Sequence, residues 1–360
     1  MVNVKNCTVD EFEKLLQEKK VICFGQGKKF QELCERFQIH RFLEFIINNH
    51  AMSDTLSVAN ITIPVKTVDE IQIDGDIRDY IVVISSIQYA REMITQLDTL
   101  NTFDGMSCYV PDVFTVEENW DSSKSEFSKI PKIIHYFWFG NNEMPDKFKK
   151  NIETWKKFCP EYELKRWDES NYDVTKCSYM QQAYQAKKWG FVPDYARLDI
   201  LNTYGGIYLD TDVEMIKNWD DLLHHDLFCG FESWNYVAFG LGFGSKKDNP
   251  ILQEMMEDYK QSTFINEDGS LNLIASPVYQ TRILQRHGLI LNGKTQVHDR
   301  YASFSTEYFA PFNFCGYGKI TDNTYSIHQY AATWMEKKDT DIRSVCFDNF
   351  TWVDERLSKG

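Results

Sequence analysis

The 360-residue sequence has nine cysteines but no C-x-x-C pair, so neither a zinc framework nor a disulfide scaffold organises it. It has no stretch approaching the roughly 20 apolar residues of a membrane span. Its first ten residues lack the basic segment and apolar core of a secretory signal. Positive charge is in short supply: 39 Lys and Arg stand against 53 Asp and Glu, a balance of −14. Such a chain is a poor partner for nucleic acid, which binds through phosphate neutralisation. The G-x-S-x-G, H-E-x-x-H and Walker motifs are missing, and no internal repeat is visible. What is present is ordinary for a globular protein, 43% apolar and 26% charged residues, with 15% aromatics that supply large cores and ring faces for stacking. The expectation is a reduced, cytoplasmic, enzyme-sized protein of two domains.

A polar stretch at residues 117–130 reads as a linker between residues 1–116 and residues 131–360. The first part alternates helical and apolar strand patterns. Helices are expected near residues 9–20, 28–37 and 88–100, with strands near 21–24, 42–47 and 81–84. That order predicts an α/β fold with a parallel, Rossmann-like sheet. Gly25-x-Gly27 after the first of these strands could present backbone N–H groups to an anion. However, Phe30 stands where a dinucleotide fingerprint has its third glycine. Two readings stay open there, a nucleotide site and a structural or docking domain. Residues 20–115 also resemble the small Rossmann-like modules at the front of sugar-modifying enzymes in bacterial polysaccharide gene clusters.

In the second part, Pro193 and Asp194 suit the first turn of a helix that Gly205-Gly206 would stop. Ile207-Tyr208-Leu209 then reads as a buried strand leading into Asp210-Thr211-Asp212. Two other D-x-D pairs exist, Asp74/Asp76 and Asp339/Asp341, both in polar surroundings. The middle pair differs because it follows an apolar strand, at the carboxyl end where open α/β sheets bind ligands. Period-2 geometry puts both carboxylates on one side of the chain, and together they repel unless a cation joins them. A hard divalent ion with oxygen ligands would satisfy both and could bridge a diphosphate.

The run Asp194-x-x-Arg197…Gly205-Gly206-x-Tyr208-x-Asp210-x-Asp212 resembles the D-x-D signature of glycosyltransferase family 32. It is also similar to the glucosylating clostridial toxins and to yeast α-mannosyltransferases. Ile130–Gly140 resembles the first strand of those enzymes, and the matching segments frame residues 130 to about 335. The resemblance implies a Rossmann-like A-type glycosyltransferase fold (GT-A), a nucleotide-sugar donor with uridine favoured, a manganese or magnesium ion, and retention of anomeric configuration. It implies that Trp138 stacks on the donor base beside the Phe137 backbone, and that Asp194 contacts ribose. Arg197 would reach phosphate or sugar, and Tyr208 would belong to the donor site. Asp210 would contact metal and sugar, and Asp212 would hold the metal directly. His328 and Trp334 match the closing segment. The imidazole would favour manganese, and the indole N–H would reach a diphosphate oxygen. The Ala275-Ser276-Pro277 segment departs from the family's Gly-Pro turn, so no role is carried over to it.

The expected function is extension of a surface or capsular polysaccharide, with a glycan acceptor that could be lipid-linked. A protein-glycosylating effector and a non-catalytic nucleotide-binding scaffold are the alternatives. The segment Asp146–Phe158 is a basic amphipathic helix candidate, with Phe148, Ile152 and Trp155 on one stripe among lysines. It would either pack that stripe on the core or touch an anionic membrane at the inner face.

Overall fold

The computed structural model describes residues 1–116, 128–331 and 338–358. They form two units: residues 1–116 with 315–317 and the C-terminal helix, and residues 128–314 with 318–331.

In the first unit the elements are β1 (Asn3–Lys5), α1 (Val9–Glu18), β2 (Lys20–Phe24), α2 (Lys28–Phe37), β3 (Leu43–Ile47), β4 (Thr55–Val58), β5 (Ile61–Lys66), β6 (Tyr80–Ile84), α3 (Ala90–Asp98) and β7 (Ser107–Tyr109). Thr8 starts α1 with a reciprocal cap: its Oγ1 accepts the Glu11 N–H at 3.2 Å, and Glu11 accepts the Thr8 N–H at 2.8 Å. The strand order is β1-β7-β6-β2-β3-β5-β4, parallel throughout except for the β4–β5 hairpin. Central strands β2 and β6 are almost wholly buried, as a parallel sheet covered on both faces requires. The expected helices and strands all have counterparts here. The hairpin was not expected, because its two-residue turn is Ala59-Asn60, both at positive φ (49° and 65°), where Asn-Gly is the usual signal.

The C-terminal helix, Lys338–Leu357, belongs to this unit, not to the second domain that the sequence reading gave it. Cys346, Phe350 and Val353 join the core formed by Ile22, Val82 and Ile94. Asn349 Nδ2 donates to the Ile87 and Gln88 carbonyls, and Arg356 bonds Asp98 at 2.7 Å. A second difference concerns the expected linker. Residues 117–127 lie outside the described residues, but Ile130 is buried and its N–H donates to the Leu223 carbonyl at 3.0 Å. The last of that stretch is therefore packed structure.

The second unit contains β8 (Ile133–Phe137), α4 (Asp146–Phe158), β9 (Glu163–Trp167), α5 (Ser178–Gln185), α6 (Pro193–Tyr204), β10 (Gly206–Tyr208), β11 (Val213–Met215), β12 (Leu227–Ser233), β13 (Tyr236–Val237), β14 (Phe243–Ser245), α7 (Pro250–Lys260), α8 (Ser276–Arg286), β15 (Gln296–Val297), β16 (Ala302–Phe304), α9 (Thr306–Phe309) and β17 (Ser326–His328). Its main sheet runs β15-β16-β12-β14-β10-β8-β9, with β13 paired to β12. Strand β14 is antiparallel to both neighbours, β10 and β12. Because β8 pairs parallel with β9 and β10, and β12 with β16, five strands share one direction. Their carboxyl ends therefore gather along one edge of the sheet. Helix α4 buries Phe148, Ile152 and Trp155 against a core that includes Ile134 and Leu209. The apolar stripe of this basic helix thus packs inward.

Helix α6 leads into β10 through Gly205 (φ 67°) and Gly206 (φ 110°). A Cβ on Gly206 would stand 2.7 Å from the Ile133 carbonyl oxygen and 3.0 Å from His135 Nε2, so only glycine lets β10 lie this close to β8. His135 is fully buried beneath this turn. Trp167 Nε1 donates to its Nδ1 at 3.1 Å, so its Nε2 carries the proton and donates to the Gly205 carbonyl at 2.9 Å. Protonating Nδ1 would break the tryptophan bond. Burial pulls the His135 pKa down to about 4. Between that value and the unfolded value near 6.5, the unfolded chain binds the extra proton, so stability falls as pH drops through this window. The share of His135 is about 3 kcal/mol. His135→Gln should flatten the decline in thermal midpoint between pH 7.5 and pH 4. Equal slopes in the two proteins would contradict the assignment.

Candidate active site

The site is built where β8, β10 and β12 end. The carboxyl end of β8 delivers Phe137 and Trp138. The ring of Trp138 leans on Phe148 of α4 at 5.5 Å, and its Nε1 donates to the Asn142 carbonyl at 2.7 Å. One edge of the indole is thereby fixed, and the residue still lines an open cavity of 840 Å³.

Pro193 at the start of α6 places Asp194 in the first turn and Arg197 one turn on. Both are almost fully buried, at 5% and 3% exposure, and they form an ion pair at 2.5 Å. Burial raises the Asp194 carboxyl above the usual carboxylate range, and Arg197 opposes that rise. Arg197 also donates to Ser276 Oγ at 2.6 Å, lies 5.6 Å over the Tyr208 ring, and stands 4.0 Å from Asp210 Oδ1. Its Nε is buried without a partner among the described residues. A buried guanidinium with an unused donor is a costly arrangement that an anionic ligand would complete.

Tyr208, the last residue of β10, donates its hydroxyl to Asp210 Oδ1. Gly240 closes on the other oxygen: a Cβ there would lie 2.5 Å from Asp210 Oδ2. Asp212 is held more firmly. Its Oδ2 accepts the Ala331 N–H at 2.9 Å, its carbonyl accepts the Gln329 N–H at 3.0 Å, and its Oδ1 faces His328 Nε2 at 3.2 Å. The antiparallel pair β11–β17 sets Val213 opposite His328 and so carries the imidazole to the turn. Asp210, Asp212 and His328 offer ligand atoms that all lie within 4.8 Å of one another.

The electrostatics of the three are those of a cation site. Burial raises the pKa of Asp210; Arg197 pulls it down and the neighbouring Asp212 pushes it up. Burial also acts upward on Asp212, but His328 and the hydrogen bonds outweigh it, so this carboxyl is lowered. Burial would lower the pKa of His328, and the Asp212 charge more than reverses that. Two carboxylates and one imidazole, an O,O,N set, suit a divalent ion that accepts nitrogen. His328 Nδ1 has no partner among the described residues.

Of the residues singled out in the sequence, Phe137, Trp138, Asp194, Arg197, Tyr208, Asp210, Asp212 and His328 all line the same cavity. Trp334 lies outside the described residues. Sequence reasoning missed Glu232 and Gly240, and gave no role to Ser276, all three in the cavity wall. A signal existed for Glu232, a carboxylate directly after the apolar run Leu227–Phe231.

Residues 145–229 match a family described as the glycosyltransferase sugar-binding region containing a DXD motif. This segment is similar to such a sugar-binding region. It holds Asp194, Arg197, Tyr208, Asp210 and Asp212; the wall residues Trp138, Glu232, Ser276 and His328 lie outside the matched stretch. The chain is similar to inositol phosphoceramide mannosyltransferase 3 of Schizosaccharomyces pombe, 29% identical over 43% of this chain and 45% of that protein. It is similar to the uncharacterized glycosyltransferase L373 of Acanthamoeba polyphaga mimivirus, 31% identical over 41% of this chain and 61% of that protein. The chain thus spans about half the length of the curated relatives it matches. Among solved structures, the PaToxG glycosyltransferase aligns with a TM-score of 0.37 at 20% identity, covering 44% of this chain and 69% of that one.

The cavity should show its dependence on shape through Gly240. Gly240→Ala should displace the Asp210 carboxylate and weaken Mn²⁺ binding at least about tenfold, the scale of outer-shell changes at metal sites. Electron paramagnetic resonance titration of free Mn²⁺ would read this, with the thermal midpoint as the check on folding. Unchanged Mn²⁺ affinity would show that Asp210 does not bind the ion.

Proposed function

We propose that this protein is a metal-dependent, retaining glycosyltransferase of GT-A type. It moves a sugar from a nucleoside diphosphate, uridine diphosphate first among the candidates, to a hydroxyl of a glycan acceptor in surface or capsular polysaccharide synthesis. The observation that carries this is the cluster of Asp210, Asp212 and His328 beside buried Arg197, in a cavity with an aromatic wall. The sugar-binding match and the mannosyltransferase relatives support it.

Asp210, Asp212 and His328 would hold the divalent ion, manganese being favoured by the imidazole. Bound there, the ion supplies Lewis-acid stabilisation to a departing diphosphate. The protein groups do the rest. Arg197, fixed by Asp194 and Ser276, presents positive charge to the same leaving group without reorganising during the reaction. Trp138 offers an indole face to the base, and the Asn142 carbonyl sets its tilt. In the retaining reaction that the family resemblance implies, the acceptor oxygen forms a bond to the anomeric carbon from the face the phosphate leaves. The carbon–phosphate oxygen bond breaks, and the acceptor proton passes to that phosphate oxygen.

No helix among the described residues is long and apolar enough to cross a membrane. Our reading places the protein in the cytoplasm, and none of the nine cysteines is in a disulfide. The acceptor can be lipid-linked, in keeping with relatives named for inositol phosphoceramide.

A panel of UDP- and GDP-sugars, assayed for released nucleoside diphosphate, tests the reading. One donor class should turn over with Mn²⁺ and stop with chelator. Asp212→Asn should lower the rate at least about 100-fold, since it removes a carboxylate ligand from the ion. Wild-type turnover in Asp212→Asn, or turnover that persists in chelator, would overturn the proposal.

A further inference from the structure

One carboxylate of the cavity wall has no part in the chemistry above. Glu232 lies near the carboxyl end of β12, at the sheet edge where β8 and β10 also end. Its neighbours Phe231 and Ser233 pair with Val237 and Tyr236 of β13. Three residues on one strand thus match two on the other, and Glu232 is the extra residue of a bulge. Bulges re-aim side chains beside active sites, and this one accompanies a glutamate that lines the cavity.

Glu232 makes no hydrogen bond or ion pair among the described residues. It also falls outside the group of ligand atoms that joins Asp210, Asp212 and His328. A carboxylate withdrawn from bulk water with no donor is costly unless a ligand supplies one. Burial raises the Glu232 pKa, and His328 is the charge that opposes the rise. A nucleotide sugar offers three kinds of surface to such a group. The diphosphate is anionic and would be repelled. The base belongs with the aromatic wall at the end of β8. The sugar is neutral and rich in hydroxyl donors, and two neighbouring hydroxyls can donate to the two oxygens of one carboxylate.

We propose that Glu232 is the residue of this cavity that recognises the transferred sugar, accepting hydrogen bonds from its hydroxyls and so setting which sugar is held. This rests on the glycosyltransferase reading. Isothermal titration in the presence of Mn²⁺ tests it, comparing wild type and Glu232→Gln with UDP, GDP, UDP-glucose, UDP-galactose, UDP-N-acetylglucosamine and GDP-mannose. For the nucleotide class that binds, Glu232→Gln should leave the affinity for the bare diphosphate within about twofold and weaken the sugar-bearing form at least about tenfold, as expected for lost hydrogen bonds to a charged group. A merely structural role for Glu232 would instead weaken both ligands together, and that result overturns the proposal. So does a nucleotide sugar that binds Glu232→Gln as tightly as wild type. If Glu232→Gln does not fold, Glu232→Asp, whose carboxylate is withdrawn by one methylene, should show the same split. A wild-type protein that binds no nucleoside diphosphate would bring down the glycosyltransferase reading and this inference with it, an outcome distinct from the other two.

Discussion

Surplus negative charge held away from bulk water is the constraint on which the site depends. Asp194, Asp210, Asp212 and Glu232 line one cavity with Arg197 and His328. Four carboxyl groups thus share the cavity with one guanidinium and one imidazole. Lys187 and Lys188 also line the cavity, but both are exposed, where water screens them. Withdrawal from water raises the pKa of Asp194, Asp210 and Glu232, and Arg197 or His328 opposes each rise. In the proposed function a divalent cation would offset part of this negative charge, and a sugar would bring donors for the oxygens the cation does not reach. In the proposed function these groups would be met by a ligand that carries cation and hydroxyls at once.

The fold turns sequence-distant groups into neighbours through strand direction. Because β14 runs against β10 and β12, those two strands run parallel to each other, and their carboxyl ends meet on one edge. That edge receives Trp138 from β8, Asp210 from β10 and Glu232 from β12. The small β11–β17 pair adds His328 from more than 100 residues downstream, with the register fixed at Val213 opposite His328. Close approach of the central strands depends on Gly206, where any side chain would strike the β8 backbone. The same local chemistry that ends α6 therefore sets the distance between the β8 and β10 components of the site.

What could be read beforehand follows the range of the forces involved. The helix from Pro193 to its glycine stop, the apolar strand and the D-x-D turn are local, and the structure has each in place. So are the helices and strands of the first unit, whose periodicities are strong. The Ala59-Asn60 hairpin escaped because tertiary packing holds an alanine in a conformation it rarely adopts unaided. The C-terminal helix escaped because its partners, Ile87, Gln88 and Asp98, lie some 250 residues away, and no periodicity encodes a docking site. A carboxylate after the apolar run Leu227–Phe231 was visible, but the direction Glu232 takes was hidden for a different reason. Strict alternation would assign each side chain of β12 to a face, and a bulge breaks that alternation without leaving a mark in residue type. His328 and Trp138 became legible through likeness to a family, since nothing in their own neighbourhoods announces a ligand.

The two aspartates of the D-x-D turn are not equivalent, and their surroundings say how they divide the work. Asp212 receives a backbone N–H on one oxygen and the imidazole on the other, so its position is fixed before any ion arrives. Asp210 has a tyrosine hydroxyl on one oxygen and the space left by Gly240 beside the other, with the Arg197 guanidinium 4.0 Å away. A preset ligand lowers the reorganisation needed to capture an ion. In the proposed function, a carboxylate that also faces the guanidinium would link the ion to the group that meets the leaving phosphate. Tyr208 and Arg197 would then join the metal side of the cavity to the phosphate side, with Asp210 as the shared member. Removing the side chain of Asp210 would uncouple the two sides, whereas removing that of Asp212 would leave the coupling intact and take away the anchor.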